Sequence, residues 1–363
     1  LIELLLLCFV GLPWLFNNEN YMSETAKWKW ECSLLYFAGY TLLGAVISGL
    51  GPFIPFKAQA INAKETDFGV VFTFRGIGYV LASLGVGEIG DRYQPHHLLA
   101  VSFLLVGVTS FLAVHTEAVL PTAVVFFFSA VGCAGIDVLS QSSIVEVHGS
   151  KVDPWMQFLH FCFGLGSFIS PLILATIGSN AYIALGLVSL LMIVPSFCFP
   201  SPVIHKNLED KQEENTLHDI PSGLHKIIAL AFLVYVGMEV GYGGWISTYG
   251  TITEIGTKEQ AAYSSSIFWG AISLGRVIAV PFAVRYPTSL QLRTLIYLSV
   301  ISMLIAGLLI LTGMKWLTVF GCSALFGLAL SAIYPLLMSM PTYLGFKLTA
   351  KKTSNYVVAG AIG

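Results

Sequence analysis

The chain has 363 residues, of which 56% are hydrophobic and only 10% are charged, and its formal net charge is −2. A soluble domain carries about 25% charged residues, so the composition excludes an ordinary globular protein of the cytosol. No basic patch indicates nucleic-acid binding. Apolar runs of roughly 20 residues recur along the whole chain, which is the length that a transmembrane helix needs. The sequence therefore predicts an all-α, polytopic membrane protein.

The predicted spans follow one another along the chain. They cover residues 33–55, 68–89, 98–115, 120–144, 155–178, 181–199, 225–249, 260–284, 290–312 and 316–338. An eleventh begins near residue 355 and stops after about nine residues, which is too short to cross a bilayer, so we expect the natural protein to continue. Residues 1–32 contain an apolar stretch that we interpret as an accessory or interfacial helix. A signal peptide fits poorly, because Glu3 lies there and a basic region is missing.

Lysine and arginine are distributed unequally between the two predicted sides of the membrane. One side carries Lys27, Lys29, Arg92, Lys151, Lys206, Lys211, Lys226, Arg285, Arg293, Lys347, Lys351 and Lys352. The other side carries Lys57, Lys64, Lys258 and Lys315. Because cytoplasmic loops carry an excess of basic residues, we expect the first span to start in the cytoplasm. Which membrane holds the protein is left open.

The longest polar stretch separates two groups of spans. Residues 200–224 form this predicted cytoplasmic linker, between a six-helix half at 33–199 and a second half at 225–363 that is incomplete in its fifth helix. Residues 34–51 and 233–250 begin the two halves with related glycine-rich sequences about 200 residues apart. This spacing indicates an internal repeat, as many transporters have.

A motif in the loop after the second span suggests a family. "GVGEIGDRYQPHHLL" (85–99) matches the signature G-x-x-x-D-R/K through Gly87, Asp91 and Arg92, while "QPHH" replaces the glycine and basic pair that follow in the signature. On this motif, the span count and the two halves, the chain resembles the major facilitator superfamily. The resemblance implies that Gly87, Asp91 and Arg92 serve a cytoplasmic gate that latches the two halves in one conformation.

Four further segments resemble the fucose-permease branch of that superfamily, and within it the animal sodium-dependent glucose transporter-like proteins. They are "GIDVLSQ" (135–141), "PWMQFLHFCFGLGSFISPLI" (154–173), "YVGMEVGYGGWISTYG" (235–250) and "FWGAISLGR" (268–276). In the fucose permease the fourth span has an acid and, four residues later, an amide, which Asp137 and Gln141 match. That permease also has an acid in its first span, whereas residues 33–55 contain none.

Several ionisable residues lie inside predicted spans, where a charge costs roughly 2.5–3.5 kcal/mol on insertion scales and needs a partner or a function. They are Arg75, Asp137, His160, Glu239 and Arg276. Each leaves an alternative open. Arg75 and Asp137 would form a structural ion pair or a functional one, Arg276 would reach a helix end or a binding site, and His160 would be a core or a binding residue.

The spacing of polar residues predicts a lined path for a solute. Asp137 and Gln141 share one helix face, and Gln157 and His160 share another. Acids and amides bind hydroxyl groups, and aromatic faces such as those of Trp245 and Trp269 cover the apolar side of a sugar ring. Asp137 and Glu239 are the candidates for carrying a coupling ion, and Arg75 and Arg276 for charge pairing.

These features predict a secondary active transporter of a small polar solute, for which the resemblance implies a hexose-type sugar, coupled to Na⁺ or H⁺. Enzyme motifs such as H-E-x-x-H and G-x-S-x-G are missing. The six cysteines are scattered, which gives no metal site, and we expect no further cofactor. Two alternatives stay open. One is a transporter-fold subunit, chaperone or receptor with a protein partner in a membrane complex, and the other is a transporter of lipid-like amphiphiles.

Overall fold

The computed structural model describes residues 24–199, 201–202, 219–252, 258–312 and 317–363, and this part of the chain is helical and contains no strand. The first group of helices is α1 Glu24–Ala60, α2 Gly69–Gly90, α3 Pro95–His115, α4 Val119–His148, α5 Asp153–Ile177, α6a Ala181–Leu191 and α6b Ile193–Cys198. The second is α7 Ser222–Ile252, α8 Lys258–Arg285, α9 Thr288–Thr312, α10a Cys322–Leu330, α10b Ile333–Tyr343 and α11 Ala350–Ile362. A π-helical turn, Leu317–Gly321, leads into α10a.

Every predicted span coincides with a helix. Nine helical stretches of the described residues are long and apolar enough to cross a membrane. Helix α5 is 25 residues long and carries Asp153, Gln157 and His160 within its first eight residues. Helix α1 begins at Glu24, nine residues before the predicted span, because a helix can continue through polar residues beyond the hydrocarbon. The predicted accessory helix at the N-terminus lies outside the described residues, as does most of the predicted linker.

Backbone polar groups must be paired within the chain wherever lipid replaces water, which explains the helical form of the described residues. Many hydroxyl side chains on these helices donate to a carbonyl one turn earlier. Examples are Ser83 to Tyr79 at 2.8 Å and Ser102 to Leu98 at 2.9 Å. Serine and threonine are therefore tolerated at many positions of the spans without marking a site.

Among the described residues, the largest contacts between the two groups of helices involve α5 and α11. Helix α5 packs on α8 and on α10b, while α11 packs on α2 and α4. The α5–α8 approach is close at Gly164, because a Cβ on this residue would collide with the side chain of Ser273. Small residues let membrane helices approach in this way. The contact faces of α5 and α8 consequently bring their polar residues to one place, midway along both helices.

Lys57 closes the end of another helix by pairing with its last carbonyl groups. Its side chain is buried at the end of α1, and Nζ donates to the carbonyl oxygen of Val114 at 2.8 Å and to that of Thr116. The last carbonyls of α3 would otherwise have no intrahelical donor. Lys57 is therefore a structural residue, although it is one of the few lysines on its predicted side of the membrane.

We predict that Lys57→Met lowers the free energy of unfolding by about 1–3 kcal/mol, because it leaves two buried carbonyl groups without donors. Equilibrium unfolding in mild detergent measures the change. Lys64→Met is the matched control, since Lys64 is an exposed lysine close in sequence. Equal stability of the two variants would show that the Lys57 contacts contribute nothing.

Candidate functional site

Asp137 is the centre of a buried polar cluster within the first group of helices. One carboxylate oxygen accepts hydrogen bonds from the Tyr40 hydroxyl and from Gln141 Nε2, the latter at 2.8 Å. The other oxygen accepts from the Tyr79 hydroxyl at 2.5 Å. Three helices, α1, α2 and α4, thus meet at one acid. All of its hydrogen-bond donors in the described part of the chain are neutral groups.

Arg276 forms a second cluster that connects the two groups of helices. Its Nη2 pairs with Glu239 Oε1 at 3.2 Å, which joins α8 to α7. Its Nη1 donates to the carbonyl oxygen of His160 in α5 at 3.0 Å, and its Nε donates to the carbonyl oxygen of Ser331 at 3.0 Å. The guanidinium is only 4% exposed. Its planar set of donors therefore fits three acceptors on three different helices.

The break between α10a and α10b supplies acceptors for this cluster. Three successive carbonyl groups at the break each accept a side-chain donor from another helix. The donors are the Tyr235 hydroxyl to Leu330 at 3.1 Å, Arg276 Nε to Ser331 at 3.0 Å and Gln157 Nε2 to Ala332 at 3.3 Å. Broken membrane helices occur where freed backbone groups are bound again inside the protein. The break is thus held from α5, α7 and α8 together.

An aromatic layer lies between the two clusters. The His160 ring meets Tyr40 edge-on at 5.4 Å and lies 4.7 Å from Tyr334, measured between ring centroids. Tyr334 in turn contacts Phe232 at 4.8 Å and Tyr235 at 5.9 Å. It is within electrostatic range of both Asp137 and Glu239. The two acids consequently belong to one continuous region at the meeting of the two groups of helices.

Three polar atoms of this region are buried and have no hydrogen-bond partner among the described residues. They are Gln141 Oε1, Gln157 Oε1 and His160 Nε2. An unpaired buried polar atom costs about 1–3 kcal/mol, so three at one place need an explanation. The three belong to α4 and α5 and flank the aromatic layer. A ligand with hydroxyl groups, or water, would satisfy them.

The structure brings most of the predicted site residues together. Asp137 and Gln141 share one cluster, and His160, Glu239 and Arg276 share the other. Gln157 reaches the α10 break. Trp269 is half-buried; its ring packs against Phe268 at 5.4 Å, and its carbonyl oxygen accepts from the Ser273 hydroxyl at 2.9 Å. The side chain of Trp245 lies outside the described residues.

Two expected alternatives are settled by the contacts. Arg276 does not extend to a helix end, because it is buried and bound to three acceptors. A direct Arg75–Asp137 ion pair is not formed in the described part of the chain, where the carboxylate accepts from Tyr40, Tyr79 and Gln141 instead. Tyrosine hydroxyls from two neighbouring helices occupy the acceptor positions that such an ion pair would need.

Sequence reasoning missed Tyr40, Tyr79, Tyr235 and Tyr334, as well as the acceptor carbonyls of α10. Tyrosine is common in membrane proteins as an interfacial residue, so its presence in a span does not by itself indicate a site. In the two predicted repeats Tyr235 corresponds to Tyr36, and Tyr40 lies at the position of Glu239, so the repeat did not point to Tyr40. Pro335 follows the break and has no N–H to donate to the carbonyl of Ser331 one turn earlier, which was a usable signal.

The predicted gate residues lie against the start of α11. Asp91 accepts from the backbone N–H groups of Ala350 at 2.7 Å and Lys351 at 3.2 Å, so its carboxylate caps the helix at its positive end. A Cβ on Gly87 would collide with Ser354, which makes glycine necessary for this approach. Arg92 binds Glu88 at 2.6 Å.

Three further contacts close the same end of the molecule. Glu88 also binds Lys351 at 2.7 Å, and the Thr288 hydroxyl donates to the Asp153 carboxylate between α9 and α5. Lys352 binds Asp219 at 2.8 Å, and this hydrogen bond lowers the pKa of the exposed Asp219 carboxyl. The described residues contain no group of three or more side chains arranged to hold a metal ion. At this end polar contacts join α11 to α2 and α9 to α5.

Comparison with known proteins gives a family and several relatives. The sequence profile of the Major Facilitator Superfamily matches residues 36–356. "Sodium-dependent glucose transporter 1" of Danio rerio is 28% identical over 380 residues, which cover 93% of this chain and 63% of the relative. "Sodium-dependent glucose transporter 1A" of Mus musculus is 26% identical and covers 90% of this chain and 85% of the relative. The chain thus spans less than two thirds of the Danio rerio protein.

Solved structures with a similar fold share little sequence with this chain. The proton:xylose symporter XylE, bound to 6-bromo-6-deoxy-D-glucose, superposes with a TM-score of 0.72 at 12% identity and covers 93% of this chain and 86% of its own. The transporter FucP in the outward conformation gives 0.71 at 15% identity, with coverage of 91% and 88%. These similarities concern the fold alone.

We predict that Glu239→Ala lowers the free energy of unfolding by about 3–5 kcal/mol, because it leaves the buried Arg276 without its counter-charge. The double variant Glu239→Ala/Arg276→Met costs less than the sum of the two single variants, since it removes both charges together. Unfolding of the four proteins in detergent gives the coupling energy. Val240→Ala and Leu274→Ala, at lipid-exposed neighbours on the same helices, are the controls. Additive losses would contradict a coupled pair.

Proposed function

Because this chain belongs to the major facilitator superfamily, we propose that it is a secondary active transporter that moves a hexose-type sugar by alternating access between its two halves. The family membership confirms the resemblance inferred from the loop after the second span. It also confirms a multi-pass membrane protein that is not an enzyme. One observation carries the rest of the proposal, namely the three unpaired polar atoms between the clusters of Asp137 and Arg276.

The chemistry of these atoms favours a solute rich in hydroxyl groups. Two amide oxygens, of Gln141 and Gln157, accept hydrogen bonds, and the His160 imidazole donates or accepts according to its tautomer. Tyr334 offers an aromatic face beside them for the apolar side of a ring. A lipid-like amphiphile would leave these groups unpaired. These three unpaired polar atoms therefore support a sugar rather than an amphiphile as the solute.

The relatives supply independent support for the class of solute. The names of the Danio rerio and Mus musculus proteins specify sodium-dependent glucose transport. One of the similar folds is a proton:xylose symporter, and another is described as a fucose:proton symporter. Glucose, xylose and fucose define the panel to be tested first.

We assign the coupling ion, Na⁺ or H⁺, to Asp137. Glu239 has Arg276 as a counter-charge at 3.2 Å, whereas the hydrogen-bond donors to Asp137 are two tyrosines and an amide. A buried carboxylate without a counter-charge is costly in a membrane, so a proton or a bound cation stabilises it. Glu239 instead holds the guanidinium that binds both halves. The two acids thus have different roles.

The contacts at the basic end of the molecule support a gate. Asp91 on the first half caps α11 on the second, and this joint is made of hydrogen bonds and exposed ion pairs. Such contacts are weak enough to open and form again during a transport cycle. On the positive-inside rule, we place this gate on the cytoplasmic side. The structure would then be closed towards the cytoplasm.

We predict that reconstituted protein takes up at least one sugar of the panel in a manner that depends on a Na⁺ or pH gradient. Asp137→Asn abolishes the gradient dependence, because the amide is not protonated near neutral pH and has no negative charge to bind a cation. Gln157→Ala and Gln141→Ala raise the apparent KM by about tenfold, the effect of roughly one lost hydrogen bond each. Gln59→Ala, at an exposed amide, is the control.

The alternative functions give different results in the same preparation. Absence of uptake for every sugar, together with a stable stoichiometric partner on purification, would favour a structural subunit of a membrane complex. Uptake that is unchanged in Asp137→Asn would remove this acid from the coupling mechanism. Uptake unchanged in both glutamine variants would remove the unpaired amides from the sugar site.

We predict that Asp91→Ala opens the gate more often, because it removes two charge-assisted hydrogen bonds at the start of α11. A cysteine placed at the buried Ser339, in a background without native cysteines, reports the opening through its reaction with a membrane-impermeant thiol reagent. We expect the reaction to be at least about tenfold faster than with Asp91 present. Glu117→Ala, at an exposed acid on the opposite end, is the control. Equal rates would exclude Asp91 from the latch.

A further inference from the structure

A groove on the outer face of the second half lies between α8, α9 and α10. It encloses about 520 Å³ and its lining is almost entirely apolar. Small residues form its floor, which consists of Gly275, Ala279, Ser331 and Ala332. Larger apolar side chains form its two rims. Those of Ile278, Phe282 and Leu298 are about half exposed.

The groove exists because α8 and α10a pack closely while α9 stands away from α8. A Cβ on Gly275 would collide with Ser331, which shows how closely α8 and α10 meet at the floor. Helix α9 packs instead on α10a and α10b. A gap is left between α8 and α9, and in a bilayer this gap faces the hydrocarbon. An empty gap of that volume would forfeit dispersion contacts, so membrane components will fill it.

The length of the groove matches one leaflet of a membrane. Its lining on α8 runs from Gly275 to Tyr286, a rise of about 16 Å at 1.5 Å per residue. Half of a hydrocarbon core is about 15 Å. The groove therefore extends from the middle of the bilayer to its surface, as a single acyl chain does.

The outer end of the groove is polar and basic. Tyr286, Gln291 and Thr294 line it there. Arg285 and Arg293 lie next to this end, at the end of α8 and in the first two turns of α9, and both are exposed. Neither forms an ion pair within the described residues. Basic residues at the membrane surface attract the phosphate of anionic lipids.

We propose that this groove binds a membrane phospholipid with an anionic headgroup. One acyl chain lies on the floor of small residues, and the phosphate lies at the outer end beside Arg285 and Arg293. Length, apolar lining and charge agree on this one occupant. A free phosphate would make no contact with the apolar floor, and an uncharged lipid would not pair with the two arginines.

Such a lipid would also contact the α10 break, on the side opposite the proposed transport site. The groove floor at Ser331 and Ala332 is the outer face of the α10 break, and the carbonyl groups of the same two residues accept from Arg276 and Gln157 on the inner side. Occupancy of the groove therefore stabilises the break in its present form. This consequence rests on the proposed function, whereas lipid binding itself does not.

Native mass spectrometry of the whole purified chain tests the binding. The probes are phosphatidylglycerol and phosphatidylcholine with identical acyl chains, added to delipidated protein in detergent. We expect Ala279→Phe, which fills the floor, to reduce bound phosphatidylglycerol by about tenfold. Leu298→Trp fills the groove from the α9 rim and gives a second variant in case the first fails to fold. The controls are Leu274→Phe and Val300→Trp, at exposed positions of the same helices outside the groove.

The headgroup is tested separately. The double variant Arg285→Gln/Arg293→Gln should bind the two lipids equally, while Lys226→Gln, at an exposed basic residue on α7, should keep the preference for phosphatidylglycerol. Binding by Ala279→Phe and Leu298→Trp at the level of their controls would overturn the proposal and indicate only a nonspecific lipid shell. A wild-type protein without preference between the two lipids would overturn the assignment of an anionic headgroup. Neither result depends on sugar uptake.

Discussion

The three hydrogen bonds of Arg276 are the contact on which the arrangement of this molecule depends. A guanidinium in a membrane-spanning helix is stable only if all of its donors find acceptors, since lipid offers none. Here the acceptors come from a carboxylate of α7, a carbonyl of α5 and a carbonyl of the α10 break. The first half, the second half and the break are therefore held in one relative position by one side chain. Any other position of the halves requires new partners for this charge.

The break in helix α10 links the solute site to the interface between the halves. At the break, the carbonyl groups of Leu330, Ser331 and Ala332 accept from the side chains of Tyr235, Arg276 and Gln157, and that of Ala332 also accepts from the backbone N–H of Leu336. A solute that binds the Gln157 amide would compete with its hydrogen bond to the Ala332 carbonyl and so change the contacts at the break. Because α10b also packs on α5 of the other half, such a change reaches the interface between the halves directly. A binding event and a rearrangement of the halves would thus share the same few hydrogen bonds.

The fold and the charged part of the site were predictable from the sequence, and the neutral part was not. Each apolar run became a helix because a bilayer leaves the backbone no other choice. Asp137, Glu239 and Arg276 were recognisable because a charge in a span demands a partner. Tyr40 and Tyr79 carry no such cost when exposed to an interface, so nothing in the sequence distinguished them as the partners of Asp137. The break in α10 also depends on side-chain donors from three other helices, and the sequence of α10 by itself does not show these donors.

The two buried acids, Asp137 and Glu239, differ because one has neutral hydrogen-bond partners and the other has an arginine. Glu239 is neutralised by Arg276, so a change in its protonation would disrupt the joint between the halves. Asp137 is bound by hydroxyl and amide groups, which can serve a carboxylate or a carboxylic acid with only a reorientation of hydrogens. An ion can therefore arrive at Asp137 and leave again without breaking the cluster. Because an aromatic layer separates Asp137 from the Glu239–Arg276 ion pair, the proposed binding of an ion at Asp137 leaves the contacts of Arg276 intact.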